Sequence, residues 1–341
     1  MPRMPAALLL TASAAVFVVV AGSWYTIALF NDVWGSVISA LLAVLSIAVV
    51  WPLIRALRWS NALRHAELSE ARIARAAARE QCFITLGYAL AQLIVIVAAQ
   101  FLLLNDQAVA KTFFLAGLMA KTFPLVLAAF WTNVKIFVIS EILVLVWGLV
   151  VALAMLAPGR AGKPLRFIAT AYVDIFRAVP AVLVIYLVGF GIPLTGIPLL
   201  KDFSSTVFVI IALTLTVGAY VAEIYRAGIL SIHWSQTAAA RSLGLSHLQA
   251  LRFVIIPQGV RQIIPPLLNA FIALQKDTAL VSVVGVVDSF NQSMLISSNY
   301  YNLSAVTTVA LLFIVISIPQ TRFVERMMRR DRTRMRAGGE A

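Results

Sequence analysis

Eight apolar runs of about 20 residues dominate the sequence and limit what the chain can fold into. They cover residues 8–30, 37–57, 83–104, 134–156, 168–192, 207–227, 263–287 and 305–323. A bilayer core of about 30 Å takes about 20 apolar residues of helix, because a helix satisfies its own backbone hydrogen bonds in lipid. The composition agrees, since 62% of the residues are hydrophobic and only 12% are charged. We therefore predict an all-α integral membrane protein with about eight transmembrane helices.

The basic residues are distributed unequally between alternate loops. If the N-terminus is inside, the inner loops hold Arg3, Arg55, Arg58, Arg64, Arg72, Arg75, Arg79, Arg160, Lys163, Arg166, Arg226, Arg241, Arg252, Arg261 and the basic C-terminal tail. The outer loops and span edges hold only Lys111, Lys121, Lys135 and Lys201. Because cytoplasmic loops carry the excess of Lys and Arg, we predict cytoplasmic N- and C-termini. The net charge of +13 is then explained by loops that meet anionic lipid, and no nucleic-acid partner is predicted.

Two segments do not read as simple spans. Residues 58–80 are polar and rich in alanine, which predicts a helix that either touches a cytoplasmic partner or surface, or serves as a helical linker. Residues 111–131 are apolar but contain two lysines and Pro124. Treated as a span, this second segment would reverse the sidedness of every later loop. We therefore predict an external interfacial or re-entrant segment there.

A polar interval at 228–262 separates two of the spans and is predicted to form two short helices on the cytoplasmic side. Ser235 is the predicted N-cap of the first helix. Gly244 supplies the left-handed conformation that ends it. Ser246, followed three residues later by Gln249, gives a capping-box pattern for the second helix. A structured pair of helices where a short turn would suffice indicates a docking element.

Ionisable residues within the spans are costly in lipid and often functional. The candidates for a solute pathway are Glu141, Arg177, Lys276 and Asp277. Spacings of three residues also allow Asp174 to pair with Arg177, and Glu223 with Arg226. Two interpretations remain open for these groups: some contact a charged or zwitterionic solute, or they pair between helices and fix the packing.

Motifs for nucleotide hydrolysis or other catalysis are missing from the sequence. Gly162-Lys163 is followed by Pro164 where a phosphate-binding loop requires Ser or Thr. The sequence contains no nucleophile elbow and no HExxH. The single Cys82 and three separated histidines do not suggest a metal site. We predict that the chain is not an enzyme and carries no cofactor or metal.

The interval 236–257 resembles the cytoplasmic signature loop of bacterial ABC-importer permeases, whose pattern is Glu-Ala-Ala, three residues, Gly, nine residues, Ile-x-Leu-Pro. Ala239-Ala240, Gly244 and the ending Val254-Ile255-Ile256-Pro257 match this pattern. The flanking sequences AEIYRAGI (222–229), PQ (257–258), PP (265–266), KDTALVS (276–282) and FRAVP (176–180) are similar to the polar-amino-acid subfamily. The resemblance covers roughly residues 125–330.

This resemblance implies a five-helix type I ABC importer permease core at 132–325, with a three-span extension at 1–110, the external segment at 111–131 and a basic cytoplasmic tail at 326–341. It implies a bacterial inner-membrane protein whose partners are two ATPase subunits, a second permease subunit, identical or homologous, and an extracytoplasmic amino-acid-binding protein. ATP would be bound by the partner. The residues implied to couple to the ATPase are Thr237, Ala238, Ala239, Ala240, Arg241, Gly244 and Ser246.

The sequence departs from the signature at Ala238, where the family has glutamate. Either the ATPase partner is adapted to alanine, or a second, non-identical permease retains the glutamate. Two rival functions also remain. An ion-coupled secondary transporter would use Glu141, Glu223 or Asp277 as its ion site, and a membrane scaffold would move no solute.

Overall fold

A computed structural model describes residues 6–28, 33–62, 68–198, 200 and 203–337. Lys201 and the outermost residues of the predicted extension and tail lie outside this set. Every regular element in the described ranges is helical. The chain divides into two compact units, Met1–Thr112 and Phe113–Ala341, which we describe separately.

The N-terminal unit consists of α1 (Ala6–Ala28), α2 (Val33–Ala62) and α3 (Leu68–Phe113). The described part of the polar segment is not a separate linker, because residues 68–80 form the first turns of the third-span helix. α3 has 46 residues and is about 69 Å long at 1.5 Å per residue. The buried side chains of Ala12, Ala56, Ala78 and Cys82 pack together where the three helices meet. Because these side chains are small, the helices can approach each other closely.

A buried polar seam joins the three helices of this unit. The Gln92 side-chain amide donates to the hydroxyls of Ser23 and Ser46, each at 2.8 Å. The Gln100 amide donates to the Thr26 hydroxyl at 3.3 Å. Since lipid provides no hydrophobic force between helices, such bonds and close packing hold membrane helices together.

The core unit begins with α4 (Ala116–Met155), α5 (Lys163–Ala178), α6 (Ala181–Tyr186), the π-helical turn Leu187–Gly191, α7 (Ile192–Leu194) and α8 (Ser205–Leu230). It continues with α9 (Trp234–Ser242), α10 (His247–Ala250), a π-helical turn Leu251–Ile255, α11 (Ile256–Asp277), a 3-10 helix Thr278–Val284, α12 (Ser289–Tyr300) and α13 (Ser304–Ala337). Over both units, seven described helices are long and apolar enough to cross a membrane, or eight if one bent pair counts as a span. The chain is an all-α membrane protein, as predicted.

The segment predicted as a separate element at 111–131 is not separate. α4 runs unbroken from Ala116 to Met155 with Pro124 inside it. Its 40 residues make a helix of about 60 Å, which joins the predicted interfacial segment to the following span. Within the helix, buried residues recur along the whole length, from Leu118 to Ala152, so the core packs against both halves.

The bent span lies between α5 and α6, whose axes turn by 103°. Val179 adopts an extended conformation with φ −87° and ψ 130°. Pro180 follows, and a residue before proline is driven out of the helical region by the proline ring. The bend at Pro180 divides the predicted span 168–192 into two helices.

The α-helix of the predicted span 263–287 ends ten residues before its apolar run does, although the helical apolar stretch continues to Val284. α11 stops at Asp277, and a 3-10 helix carries the chain to Gly285, which has a left-handed φ of +77°. Asp288 then caps α12 by accepting from the backbone N–H of Asn291 at 2.9 Å. Lys276 and Asp277 therefore lie where the α-helix passes into a 3-10 helix, rather than in the middle of one regular helix.

Candidate functional site

The docking element predicted at 228–262 is formed by α9 and α10 with a tight turn between them. Gly244 has a φ of +83°, as predicted. Its N–H donates to Arg241 O at 3.0 Å, and the N–H of Leu245 donates to Ala240 O at 3.3 Å. This pair of bonds is a Schellman cap, which satisfies the last carbonyls of α9. A Cβ added at Gly244 would meet no atom within 4 Å, so the backbone conformation alone demands glycine.

The two N-caps of the element differ in how well the sequence predicted them. The capping box is confirmed: Ser246 N donates to Gln249 Oε1 at 2.8 Å, and Gln249 N donates to Ser246 Oγ at 3.3 Å. The prediction of Ser235 as the first N-cap is wrong. His233 occupies that position, and its Nδ1 accepts from Ser235 N at 3.3 Å. Imidazole nitrogen is a less common cap than a hydroxyl, so residue type alone favoured Ser235.

Helical structure continues from the docking element into the membrane. Pro257 lies in the first turn of α11, where proline's missing N–H costs little. The π-helical turn Leu251–Ile255 connects α10 to α11 without an interruption. α10 and α11 are therefore joined by uninterrupted helical structure.

The residues that the resemblance implies to couple to an ATPase differ in their exposure to solvent. The exposed ones are Ala238, Ala239, Arg241, Gly244 and Ser246, and Thr237 is partly exposed. Ala240 is buried, with 4% of its surface accessible, so its side chain packs within the element. Trp234 and Leu243, at the two ends of α9, are 74% and 84% exposed. Their apolar side chains give the element an exposed apolar surface that the sequence reasoning missed, although apolar residues in a polar loop were a signal for it.

Arg177 and Glu223 line one cleft between α5, α8 and α11. The cleft has a volume of about 390 Å³ and is also lined by Tyr220, Gln262 and Pro266. The Arg177 guanidinium lies over the Tyr220 ring, 5.5 Å from its centroid. The Arg226 Nε donates to Glu223 Oε2 at 3.0 Å, so the predicted pair forms. Within the described chain no ion pair joins Asp174 to Arg177, and the possible pairing of these two residues is not realised.

Glu141 lies apart from that pair, within α4. Both of its carboxylate oxygens are buried and have no hydrogen-bond partner among the described residues. Tyr225 on α8 lies within electrostatic reach of the carboxylate. A buried acceptor without a partner is costly, which makes Glu141 the most exceptional of the predicted pathway residues.

Lys276 and Asp277 are not brought to the Arg177 cleft. Lys276 is exposed and lines a groove formed with α13, whereas its neighbour Asp277 is partly buried. As sequence neighbours on a helix the two point to different sides. The four pathway candidates therefore occupy at least two separate places in the described core.

A buried hydrogen-bond cluster around Asn133 was missed by the sequence reasoning. Asn133 Nδ2 donates to Thr278 O at 3.1 Å and to Asp288 Oδ2 at 2.9 Å, while Asn133 Oδ1 accepts from Ser289 N at 3.0 Å. α4 is thereby fastened to both ends of the irregular segment between α11 and α12. Burial raises the pKa of the Asp288 carboxyl, and its hydrogen bonds from Asn291 and Asn133 oppose that rise.

Comparison with models of known protein families gives a match to most of the core unit. Residues 145–333 match the family described as the binding-protein-dependent transport system inner membrane component. The chain belongs to this family. The match begins after the N-terminal unit and includes the docking element, the Arg177 cleft and the segment clamped by Asn133.

Curated relatives agree with the family match. The chain is 39% identical over 158 residues to the probable glutamine ABC transporter permease protein GlnM of Bacillus subtilis, covering 46% of this chain and 71% of that protein. It is 33% identical to the glutamate transport system permease protein GluC of Corynebacterium glutamicum, covering 60% and 93%. It is 31% identical to the glutamate/aspartate import permease protein GltK of Escherichia coli, covering 61% and 93%.

Two solved structures resemble the core. The first is of an amino acid ABC transporter with histidines, at a TM-score of 0.56 and 31% identity, covering 62% of this chain and 96% of that chain. The second is of the MetNI methionine ABC transporter in inward-facing conformations, at a TM-score of 0.50 and 21% identity, covering 61% and 97%. The second supports the fold alone.

Proposed function

We propose that this chain is the transmembrane permease subunit of an ATP-driven importer of polar amino acids. The observation that carries the proposal is the exposed α9–Gly244–α10 element in a chain whose relatives are amino-acid ABC permeases. A pair of short exposed helices joined to a membrane span can pass on to that span a movement produced by a partner protein. The ion-coupled alternative gives it no role.

The coupling route runs from α9 into the core. An ATPase that grips Trp234 and Leu243 would move α9, and the continuous helical path through Leu251–Ile255 would carry that movement into α11. Gly228 on α8 is so close to Ile263 on α11 that an added Cβ would overlap the Ile263 side chain. α8 and α11 therefore move together, because close-packed surfaces shift as bodies rather than deform.

The partners of the proposal are those that the resemblance implies. Two ATPase subunits hydrolyse ATP, a second permease subunit completes the path, and an extracytoplasmic amino-acid-binding protein delivers the solute. Both termini face the cytoplasm of a bacterial cell. Ala238 is exposed on α9, so the missing glutamate changes a surface that a partner meets. That partner is adapted to alanine, or the second permease is not identical and keeps the glutamate.

The solute path is proposed to pass the ionisable groups of the core. Arg177 and Glu141 are the strongest candidates. The first opens on the inner cleft beside Glu223, and the second is a buried carboxylate without a partner among the described residues. An α-amino acid carries one charge of each sign, and such groups recognise each of them. Asp277 remains a candidate at the end of α11, whereas Lys276 lines the separate groove with α13.

The coupling assignment is tested by Gly244→Asp, with Gly159→Asp as its matched control. Both glycines have a positive φ, +83° and +68°, and an added Cβ would meet no atom within 4 Å at either. They differ in place, since Gly159 lies in the loop before α5. In proteoliposomes with the ATPase and binding protein, we expect Gly244→Asp to abolish ATP-driven uptake while insertion stays normal. Gly159→Asp should transport. Normal uptake by Gly244→Asp would refute the coupling role.

A further inference from the structure

A groove on the core unit lies between the end of α11 and α13 and is not used by the proposed coupling route. Its volume is about 390 Å³. The lining residues are Lys276, Phe313, Ile314, Ser317, Ile318, Thr321, Arg322 and Glu325. The chemistry of this lining changes along α13, from apolar at Phe313 to charged at Glu325.

The charged end of the groove is suited to an anion. Lys276 and Arg322 supply two cations, and Lys276 forms no salt bridge among the described residues. Arg322 Nη1 donates to Glu325 Oε2 at 3.0 Å, but their side chains are 68% and 39% exposed. An exposed pair of this kind is weak, so Arg322 is available to a stronger anion and the net charge here is positive.

A hydroxyl without a partner lies beside these cations. Ser317 is 7% exposed, and its Oγ is buried with no hydrogen-bond partner among the described residues. The Thr321 hydroxyl, one turn along, donates to Ser317 O at 2.9 Å. Buried polar atoms are normally hydrogen-bonded. Ser317 lines the groove, but its Oγ is enclosed in the wall, so the polar contacts offered to a ligand come from Lys276 and Arg322.

The other end of the groove is apolar and open. Ile314 and Ile318 are 49% and 55% exposed and follow each other by one turn of α13. From Ala305 to Pro319 this helix is almost wholly apolar, and beyond Arg322 it becomes strongly basic. A charged run of this length lies outside hydrocarbon. The groove therefore spans the depth at which α13 leaves the lipid chains for the headgroups.

We infer that this groove binds one anionic glycerophospholipid from the leaflet at the basic end of α13. Its phosphate lies between Lys276 and Arg322, and one acyl chain follows Ile318 and Ile314 outward. A free phosphate would fill only the charged end and leave the apolar end exposed to water. A diacyl lipid matches both ends with one molecule.

The first experiment measures lipid retention by Arg322→Gln, with Arg326→Gln as the matched control. Arg326 is exposed on the same helix and does not line the groove, and its substitution removes the same charge. Native mass spectrometry of the full chain would follow titration with phosphatidylglycerol and with phosphatidylcholine. We expect Arg322→Gln to weaken phosphatidylglycerol binding about tenfold, the value of one charge-assisted hydrogen bond, and Arg326→Gln to leave it within about twofold.

Arg322→Lys separates loss of the site from loss of the fold, because it keeps the charge and should keep the lipid. Equal loss in Arg322→Gln and Arg326→Gln, or equal binding of the two lipids, would overturn the inference. Displacement of the lipid by excess inorganic phosphate would also overturn it, since the apolar end would then contribute nothing.

A second permease copy is the other possible occupant, and Ile318→Cys tests it in native membranes. The native Cys82 is buried, so it does not compete in a brief oxidation. A disulfide between two copies at Ile318 would show that protein covers the groove and would contradict the lipid assignment. Modification of this cysteine by a lipid-soluble maleimide, without cross-linked dimer, is the result that we expect.

Discussion

The two units of this chain are both built from membrane helices, but the backbone of the core is much less regular than that of the N-terminal unit. In the N-terminal unit α1, α2 and α3 contain no π-helical or 3-10 segment in their described lengths, and the one left-handed residue there is Gln107 near the end of α3. In the core, the path breaks at Pro180, passes two π-helical turns and a 3-10 helix, and turns at Gly285. Irregular backbone at membrane depth survives only where protein or a cavity satisfies it.

The comparison teaches where the function lies. The irregular unit is the one that matches the transport family, at 145–333. Its irregular segments are fixed by buried contacts from other helices. One example is Asn133 of α4, which bonds to Thr278 and Asp288. The regular unit is joined by side chains that also satisfy themselves locally: Ser23 donates to Val19 O and Ser46 donates to Leu42 O. The core therefore fixes its irregular segments by contacts between residues remote in sequence, whereas the seam hydroxyls of the extension are also hydrogen-bonded within their own helices.

The largest difference is expected between two glycine substitutions. Gly228→Ala in the core would force a Cβ into the Ile263 side chain, whereas Gly87→Ala in α3 would meet no atom within 4 Å. Overpacking costs about 1–3 kcal/mol, so Gly228→Ala should lower the free energy of unfolding by about 3 kcal/mol, the upper end of that range. Gly87→Ala should leave it unchanged or raise it by up to about 1 kcal/mol, the helix propensity of alanine.

Unfolding of both variants in bicelles would measure this difference, with uptake as a second readout. If the two substitutions had the same effect on the free energy of unfolding, α8 and α11 would not be packed closely enough at Gly228 to move as one body.

A smaller difference is expected between two buried amides. Asn133→Leu strips partners from Asp288 Oδ2 and Ser289 N, and each buried polar group left alone costs about 1–3 kcal/mol. Gln92→Leu leaves the Ser23 and Ser46 hydroxyls bonded to their own helices, so the loss should be close to the roughly 0.6 kcal/mol average of interhelical bonds, about 1 kcal/mol or less. Transport should fail in the first variant and persist in the second.

Thermal unfolding and uptake of the two leucine variants provide the measurement. If Gln92→Leu proved the more damaging of the two, the extension rather than the core would hold the critical polar contacts.

The smallest effect concerns pH and the Asp288 carboxyl. Burial raises its folded-state pKa above the ordinary value of 3.8, so the folded state holds its proton to higher pH than the unfolded state. The resulting stability is complete below that ordinary value and is lost as pH rises through the folded-state pKa. Asp288→Asn removes the titrating carboxyl and should flatten this part of the pH profile of unfolding. A profile with the opposite slope would contradict the assignment.

Predictions from the sequence were right where the signal is local. The apolar runs predicted the membrane fold. The roles of Gly244 and of the Ser246–Gln249 capping box were identified from neighbouring residues. The bend at Pro180 likewise depends on the proline itself. The failures depend on contacts that are remote in sequence. Asn133 reaches Thr278 and Asp288 across 145 and 155 residues, and nothing near Asn133 indicates it. The apolar run at 263–287 hid the end of α11, because that end is fixed by this distant amide and by Gly285.

The central claim is that the core of this chain is moved through α9 by a separate ATPase. The direct test compares polar amino-acid uptake by proteoliposomes holding this chain alone with uptake when the ATPase and the binding protein are also present. The account predicts uptake only in the full assembly and only with hydrolysable ATP. Uptake by the chain alone, driven by a proton or sodium gradient, would contradict it.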